Sequence, residues 1–176
     1  MNEQTLVEEC KQGNQKAMGD LYDHYAPKMK AICLRYVKHH EEAEDILQEA
    51  FIKIFKNINR YQDQKNLTGW IKTIVINTSI NMYYKNKNMQ MNVDYDAVIG
   101  SEKHAATIAD QLTLNELYDV INSLPEGYKV VFNLYAIDGY DHKEIGEMLK
   151  ISESTSRSQY ARARKVLMEK LNQLEP

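Results

Sequence analysis

Apolar residues recur at every third or fourth position through most of this chain, the spacing that lays one stripe along a helix. Met18, Leu21, Tyr22, Tyr25, Met29, Ile32 and Tyr36 form such a stripe from Asn14 to about His39, with Pro27 placed to bend or divide the helix. Ile46, Leu47, Ala50, Phe51, Ile54, Phe55 and Ile58 repeat the pattern in a second helix starting near Glu41. A third is expected from about Leu67 to Asn86, with Trp70, Ile71, Ile74, Val75 and Met82 on one side. With a short helix near Thr5 to Lys11 ahead of them, these segments predict one helical bundle.

From Asn88 to Asp110 the apolar period lapses and polar residues prevail, which predicts a flexible linker. Four shorter helices are expected after it, near Leu112 to Ser123, Pro125 to Ile137, Asp141 to Leu149 and Ser152 to Asn172. Pro125 suits a first helical position, and Gly139 marks the break before the next helix. The expected fold is therefore all-α, with two small helical domains, residues 1–87 and 111–176, joined by a linker over residues 88–110.

The segment DHKEIGEMLKISESTSRSQYARARKVL, from Asp141, has the pattern of a helix-turn-helix. Ile145, Met148 and Leu149 point inward from a short helix, a tight turn follows at Lys150 and Ile151, and Ser152 is placed to cap the second helix. There Ser156, Tyr160, Ala163 and Leu167 face the core and leave Ser154, Arg157, Ser158 and Arg162 outside. Guanidinium and hydroxyl groups near a helix N-terminus suit base edges in a major groove, and Arg164 and Lys165 suit phosphates further along. A solvated basic face complementing the helix dipole has the same composition. The turn and the first helix ahead of it favour DNA.

Charge is distributed unevenly. The formal net charge is -3, whereas unaided DNA binders generally carry a cationic excess. Yet Lys150 to Lys170 holds six basic residues against two acidic, while Glu41, Glu42, Glu44, Asp45 and Glu49 crowd an acidic stretch. No apolar run approaches the roughly 20 residues that span a bilayer, and the acidic, polar N-terminus is unlike a signal peptide, so a cytoplasmic protein without direct membrane insertion is expected. Cys10 and Cys33 lie at helical apolar positions without CxxC spacing and read as buried thiols. The histidines are scattered, His39 and His40 face different sides of a helix, and no glycine-rich phosphate loop or nucleophile with its base stands out. No catalytic residue, metal site or cofactor is expected.

The stretch SLPEGYKVVFNLYAIDGYDHKEIGEMLKIS followed by STSRSQYARARKVL resembles the C-terminal domain of the extracytoplasmic-function sigma factors of the sigma-70 family, over nearly all of Leu112 to Leu171. The resemblance implies that this domain recognises the minus thirty-five promoter element, with Ser154, Thr155, Arg157, Ser158, Arg162, Arg164 and Lys165 as its DNA-binding residues. Lys150 departs from the pattern, since relatives often have glycine there; if left-handed, it costs on the order of 1 kcal/mol.

The segment EAEDILQEAFIKIF from Glu42 resembles the family's docking helix for the clamp helices of the largest polymerase subunit. Asp45, Gln48 and Ile52 share one face there, with Glu49 at its edge, a strip with charges to steer and an apolar centre to anchor. The segment LTGWIKTIVINTSINMYYKNK is similar to the family's minus-ten segment, which implies that Asn77 and Asn81 read the opened strand while Lys72, Tyr84, Lys85 and Lys87 track backbone or stack bases. Trp70 leads the apolar stripe and reads as core. The resemblance further implies core RNA polymerase and promoter DNA as partners, and an anti-sigma factor that, where membrane-bound, holds the protein at the inner membrane. Two rivals are a stand-alone helix-turn-helix regulator, which usually carries an α/β domain ahead of the motif, and a helical adaptor without DNA binding, against which Arg157, Arg162 and Arg164 argue.

Overall fold

The computed structural model describes residues 3–37, 39–62, 66–89 and 114–173, and among them every regular element is helical. The chain divides into two compact units, Met1–Met89 and Gln90–Pro176. The expected linker falls outside the described residues from residue 90 onward, as do residues 112 and 113 of the helix expected from Leu112 to Ser123.

The first unit comprises α1 (Glu3–Lys11), α2 (Gln15–Cys33), α3 (His40–Asn57), a single 3-10 turn (Ile58–Arg60) and α4 (Leu67–Met89). Asn14 starts α2, its side-chain oxygen accepting from the backbone N–H groups of Lys16 and Ala17 at 3.0 and 3.3 Å. Such a cap provides an acceptor for two of the donors that a helix start leaves unpaired. Pro27 does not divide α2, which runs through it unbroken. The ring sits on the exposed side, where water can reach the carbonyl that lacks its N–H partner.

Leu21, Met29, Ile46, Ala50, Ile54, Ile71 and Val75 are wholly buried where α2, α3 and α4 meet. Tyr22 meets Phe51 edge-on, their ring centroids 4.7 Å apart, and Tyr61 packs on Trp70 at 5.3 Å. Trp70 itself is half-buried. Helix α4 departs from the single stripe that its sequence predicts. Ile76, Thr78, Ser79 and Ile80 are buried as well, while Ile74 and Met82 are only half-buried. The physical reason is its position: α4 packs on both α2 and α3, so a wide arc of its surface is covered. Thr78 and Ser79 tolerate this because their hydroxyls donate to the carbonyls of Ile74 and Val75, one turn back, at 2.8 and 2.9 Å.

The second unit comprises α5 (Leu114–Asn122), α6 (Glu126–Phe132), a π-helical turn (Asn133–Ile137), α7 (His142–Leu149) and α8 (Glu153–Gln173). Pro125 is the residue before α6 rather than its first member. The expected helix over 125–137 widens at its end, where the Asp138 N–H donates to the Asn133 carbonyl five residues back at 2.9 Å. Gly139 then turns the chain with φ +83, a value open to glycine because it has no Cβ. Val120 of α5 and Leu124 just after it pack on Ala163 and Leu167 of α8, with Tyr128, Phe132 and Val166 closing around them. Lys170 donates to the Ser123 hydroxyl at 2.7 Å and so ties the far end of α8 to the end of α5.

Helix α7 has a complete capping box. The Glu144 N–H donates to the Asp141 carboxylate and the Asp141 N–H to the Glu144 carboxylate, both at 2.8 Å. It ends at Lys150, which is left-handed with φ 52 and ψ 42. A Cβ on Gly146 would stand 2.8 Å from the Ile151 carbonyl oxygen, so the turn folds back closely over α7 at the one residue without a side chain.

The left-handed lysine yields a first prediction. Lys150→Gly should stabilise the C-terminal unit by about 1 kcal/mol, because a left-handed residue with a side chain is strained relative to glycine. Trp70 is the single tryptophan and lies in the N-terminal unit. In urea titrations of the whole chain, the far-UV circular dichroism midpoint should rise while the Trp70 fluorescence midpoint stays in place.

Candidate nucleic-acid interface

Helix α8 is both a wall of the core and an outward surface. Ser156 and Ala163 are fully buried and Leu167 nearly so, which turns Ser154, Arg157, Ser158, Arg162 and Arg164 to solvent. Lys165 and Thr155 are half-exposed at its edges. Ser154, Ser158 and Arg162 stand at successive four-residue steps, with Arg157 and Arg164 beside them, so the face is continuous over more than two turns. Its chemistry is that of hydroxyl and guanidinium donors, which suits base edges and phosphate oxygens.

Several of the predicted residues are less free than their types suggest. Ser152 caps α8, its hydroxyl accepting from the Thr155 N–H at 3.0 Å, and the Thr155 hydroxyl lies 2.7 Å from the same oxygen. Thr155 thus belongs to the cap as much as to the outer face. The Ser158 hydroxyl donates to the Thr155 carbonyl at 2.9 Å, and Arg157 Nε donates to the Glu153 carboxylate at 3.1 Å.

Sequence reasoning passed over the contact that joins the two helices of the motif. His142, the first residue of α7, is buried, and its Nδ1 lies 2.9 Å from the hydroxyl of Ser156 on α8. Its ring stacks on Tyr135 of the π-helical turn at 4.2 Å, with planes 9° apart. Tyr160 of α8 approaches both rings. Burial pushes the His142 pKa below the ordinary 6.5 and the nearby Arg157 charge adds to this, against weaker opposite effects of Glu153 and Asp141. Only a burial pattern could have revealed this histidine, because its partners lie 7 and 14 residues away in sequence.

In the first unit, Asp45, Gln48, Glu49 and Ile52 all lie on the exposed face of α3, and Ile52 is 53% exposed despite being apolar. Glu49 is partly neutralised by Lys53 at 2.6 Å. Beside this strip runs a shallow groove between α2 and α3, lined by Tyr22, Ala26, Pro27, Leu47 and Gln48, with the Lys30–Glu44 ion pair at 2.6 Å on its rim. The ammonium of Lys30, by hydrogen bond and by charge, holds the Glu44 carboxyl below the usual carboxylate range.

On α4, Asn77, Asn81 and Lys85 are exposed at four-residue steps and form one ladder. Tyr84 is half-buried beside it, its ring 5.4 Å from Tyr83, and burial raises its hydroxyl pKa. Lys72 is not part of the ladder: it lies roughly 140° around the helix from Asn77 and is half-buried. The Lys87 side chain lies outside the described residues. Among the described residues no three His, Cys, Asp or Glu side chains converge as a metal site, and no helix is long and apolar enough to cross a membrane.

A first unit whose described regular elements are all helical, with an exposed strip on α3, and a second in which α7 and α8 form an outward-facing helix-turn-helix, have the architecture of a helix-turn-helix protein. Residues 21–89 match the family model for sigma-70 region 2, and residues 114–167 match that for sigma-70 region 4. The chain is 30% identical to the ECF RNA polymerase sigma factor SigW of Bacillus subtilis over 96% of each chain. It is 28% identical to the ECF RNA polymerase sigma-E factor of Escherichia coli K12, over 99% of this chain and 96% of that one. Among solved structures, the fold is similar to that of the sigma factor RpoE in complex with the anti-sigma factor NepR from Bartonella quintana, with TM-score 0.56, 21% identity, and coverage of 89% of this chain and 99% of that one. CnrH, solved with the cytosolic domain of CnrY, is similar at TM-score 0.54 and 18% identity, over 97% of both chains. The chain belongs to the sigma-70 family, as an RNA polymerase sigma factor of the extracytoplasmic-function type. A stand-alone regulator is not favoured, because the N-terminal unit matches region 2.

The lowered pKa of His142 sets the sign of a pH dependence. In the unfolded chain the ring titrates near 6.5, and in the folded unit lower, so the unfolded state binds more protons between the two values. The stability contributed by neutral His142 is complete above pH 6.5 and is lost as pH falls through and below it. Thermal melts at pH 7.5 and 5.5, followed by circular dichroism, should therefore show a larger acid loss in the wild type than in His142→Gln. Equal losses would remove His142 as the cause.

Proposed function

We propose that this sigma factor binds core RNA polymerase, directs it to promoters by two-point DNA recognition, and catalyses nothing itself. The reading rests above all on the outward face of α8, whose exposed arginines and serines are presented because the opposite side of the same helix is core. In this reading α8 holds the minus thirty-five element as duplex, through Ser154, Arg157, Ser158 and Arg162 to bases and Arg164 and Lys165 to phosphates, with Thr155 supporting the cap. Asn77 and Asn81 of α4 read an opened minus-ten strand, with Tyr84, Lys85 and Lys87 along its backbone and bases. Amides match base edges, and lysines match phosphates.

The strip of Asp45, Gln48, Glu49 and Ile52 docks on the clamp helices of the largest polymerase subunit. An exposed isoleucine between polar and acidic neighbours supports this, since an apolar centre gives affinity and flanking charge gives orientation. Polymerase then supplies the chemistry and most of the affinity. The net charge of -3 fits such a factor, because weak intrinsic affinity for phosphates keeps the free protein off promoters.

An anti-sigma factor is the remaining partner. Of the proteins of similar fold, the sigma factor RpoE has been solved with the anti-sigma factor NepR bound and CnrH with the cytosolic domain of CnrY, which supports a cytoplasmic protein controlled by sequestration, at the inner membrane where that partner is anchored there.

Run-off transcription with core polymerase from a related bacterium, on fragments that include the region upstream of the protein's own coding sequence, should give specific transcripts only when the protein is added. Arg157→Ala should lower promoter-specific output by at least about fivefold, the low end for loss of one bidentate base contact, while co-purification with core polymerase is unchanged. Asp45→Ala combined with Gln48→Ala should weaken that co-purification. Failure of both variants at the same step would overturn the division of labour.

A further inference from the structure

One acid, Glu153, stands in the first turn of α8, at the end of the helix proposed to read duplex DNA. A carboxylate there is repelled by phosphates, so its presence beside the arginines calls for a cause. Its contact with Arg157 is specific in form. Both Nε and Nη2 of the guanidinium approach the same carboxylate oxygen, at 3.1 and 2.5 Å. The carboxylate thereby occupies the Nε side of the guanidinium and leaves its far edge, with both protons of Nη1 and one of Nη2, unengaged by that contact. That edge can donate two parallel hydrogen bonds to the O6 and N7 acceptors of guanine in a major groove. The Arg157 side chain is 63% exposed and that of Glu153 47%, so the pair stands in solvent rather than in the core.

An exposed pair four residues apart adds little to helix stability. What it does is restrict the rotamers of a long side chain before binding, which lowers the entropy lost when the guanidinium is fixed against a base. We propose that Glu153 is a positioning residue that sets the plane of Arg157, so that α8 prefers guanine at one position of the duplex. This rests on the reading of α8 as the duplex-binding helix. A Glu153 that instead accepted directly from the amino group of cytosine would govern a different position from Arg157.

The test is run-off transcription by core polymerase with the full-length protein, on a promoter library in which every base of the upstream element is varied. Wild type, Glu153→Ala, Glu153→Gln, Arg157→Ala and the double alanine variant are compared. The wild type should prefer guanine by at least about fivefold at one position, and Arg157→Ala should reduce that to less than about twofold. Glu153→Ala should lose at least about half of the preference at the same position, Glu153→Gln should fall between, and the double variant should match Arg157→Ala. Three results would overturn the inference. Output that rises equally on all sequences in Glu153→Ala would mean the acid only repels DNA. A preference lost at another position would mean that the carboxylate reads a base itself. A profile unchanged by Arg157→Ala would instead remove Arg157 as a base reader, a failure of its assigned role that leaves its own distinct signature.

Discussion

Ala163 is fully buried at the middle of α8, and the close packing it permits against α5 and α6 governs the second unit. With Ser156, Ala163 and Leu167 turned into the core, the helix has no rotational freedom left, and every residue on its other side is committed to solvent. A recognition surface made this way is rigid because it is the back of a core wall. The same economy holds on α3, where burial of Ile46, Ala50, Phe51 and Ile54 on one side presents Asp45, Gln48 and Ile52 on the other. In both units, burial of one helix face determines which residues the other face offers to a partner.

Polar contacts refine that arrangement without driving it. The His142 to Ser156 hydrogen bond and the Tyr135 stack join α7 to the start of α8, where a small change in helix angle would displace the exposed side chains most directly. The π-helical turn matters here, since widening the end of α6 sets where Tyr135 meets the imidazole. Lys170 on Ser123 anchors the opposite end of α8. Between these two anchors α8 is held along its length.

The exposed surfaces differ in character, in keeping with different partners. The α8 face is hydroxyl and guanidinium with one acid at its border, the α4 ladder is amide and lysine, and the α3 strip is acidic and amide around an isoleucine. Donor-rich surfaces suit nucleic acid, while an exposed apolar residue among acids suits protein. A chain of net charge -3 can accommodate both only by keeping them on separate helix faces.

Local chemistry made much of this legible from the sequence. The helix starts at Asn14, Asp141 and Ser152 are set by side chains that bond the backbone two or three residues away, and the outward face of α8 follows from a regular period. Such signals act within one turn, so a linear reading captures them. The wide burial of α4, the π-helical turn, and the His142 cluster depend on which helices come together. Thr78 and Ser79, polar by type, lie in the core because their hydroxyls satisfy the carbonyls one turn back while α2 and α3 close over α4. Period and capping thus specified the elements and their outward faces, whereas packing between segments distant in the chain decided the depth of burial and the surroundings of His142, because those energies exist only once the core has formed.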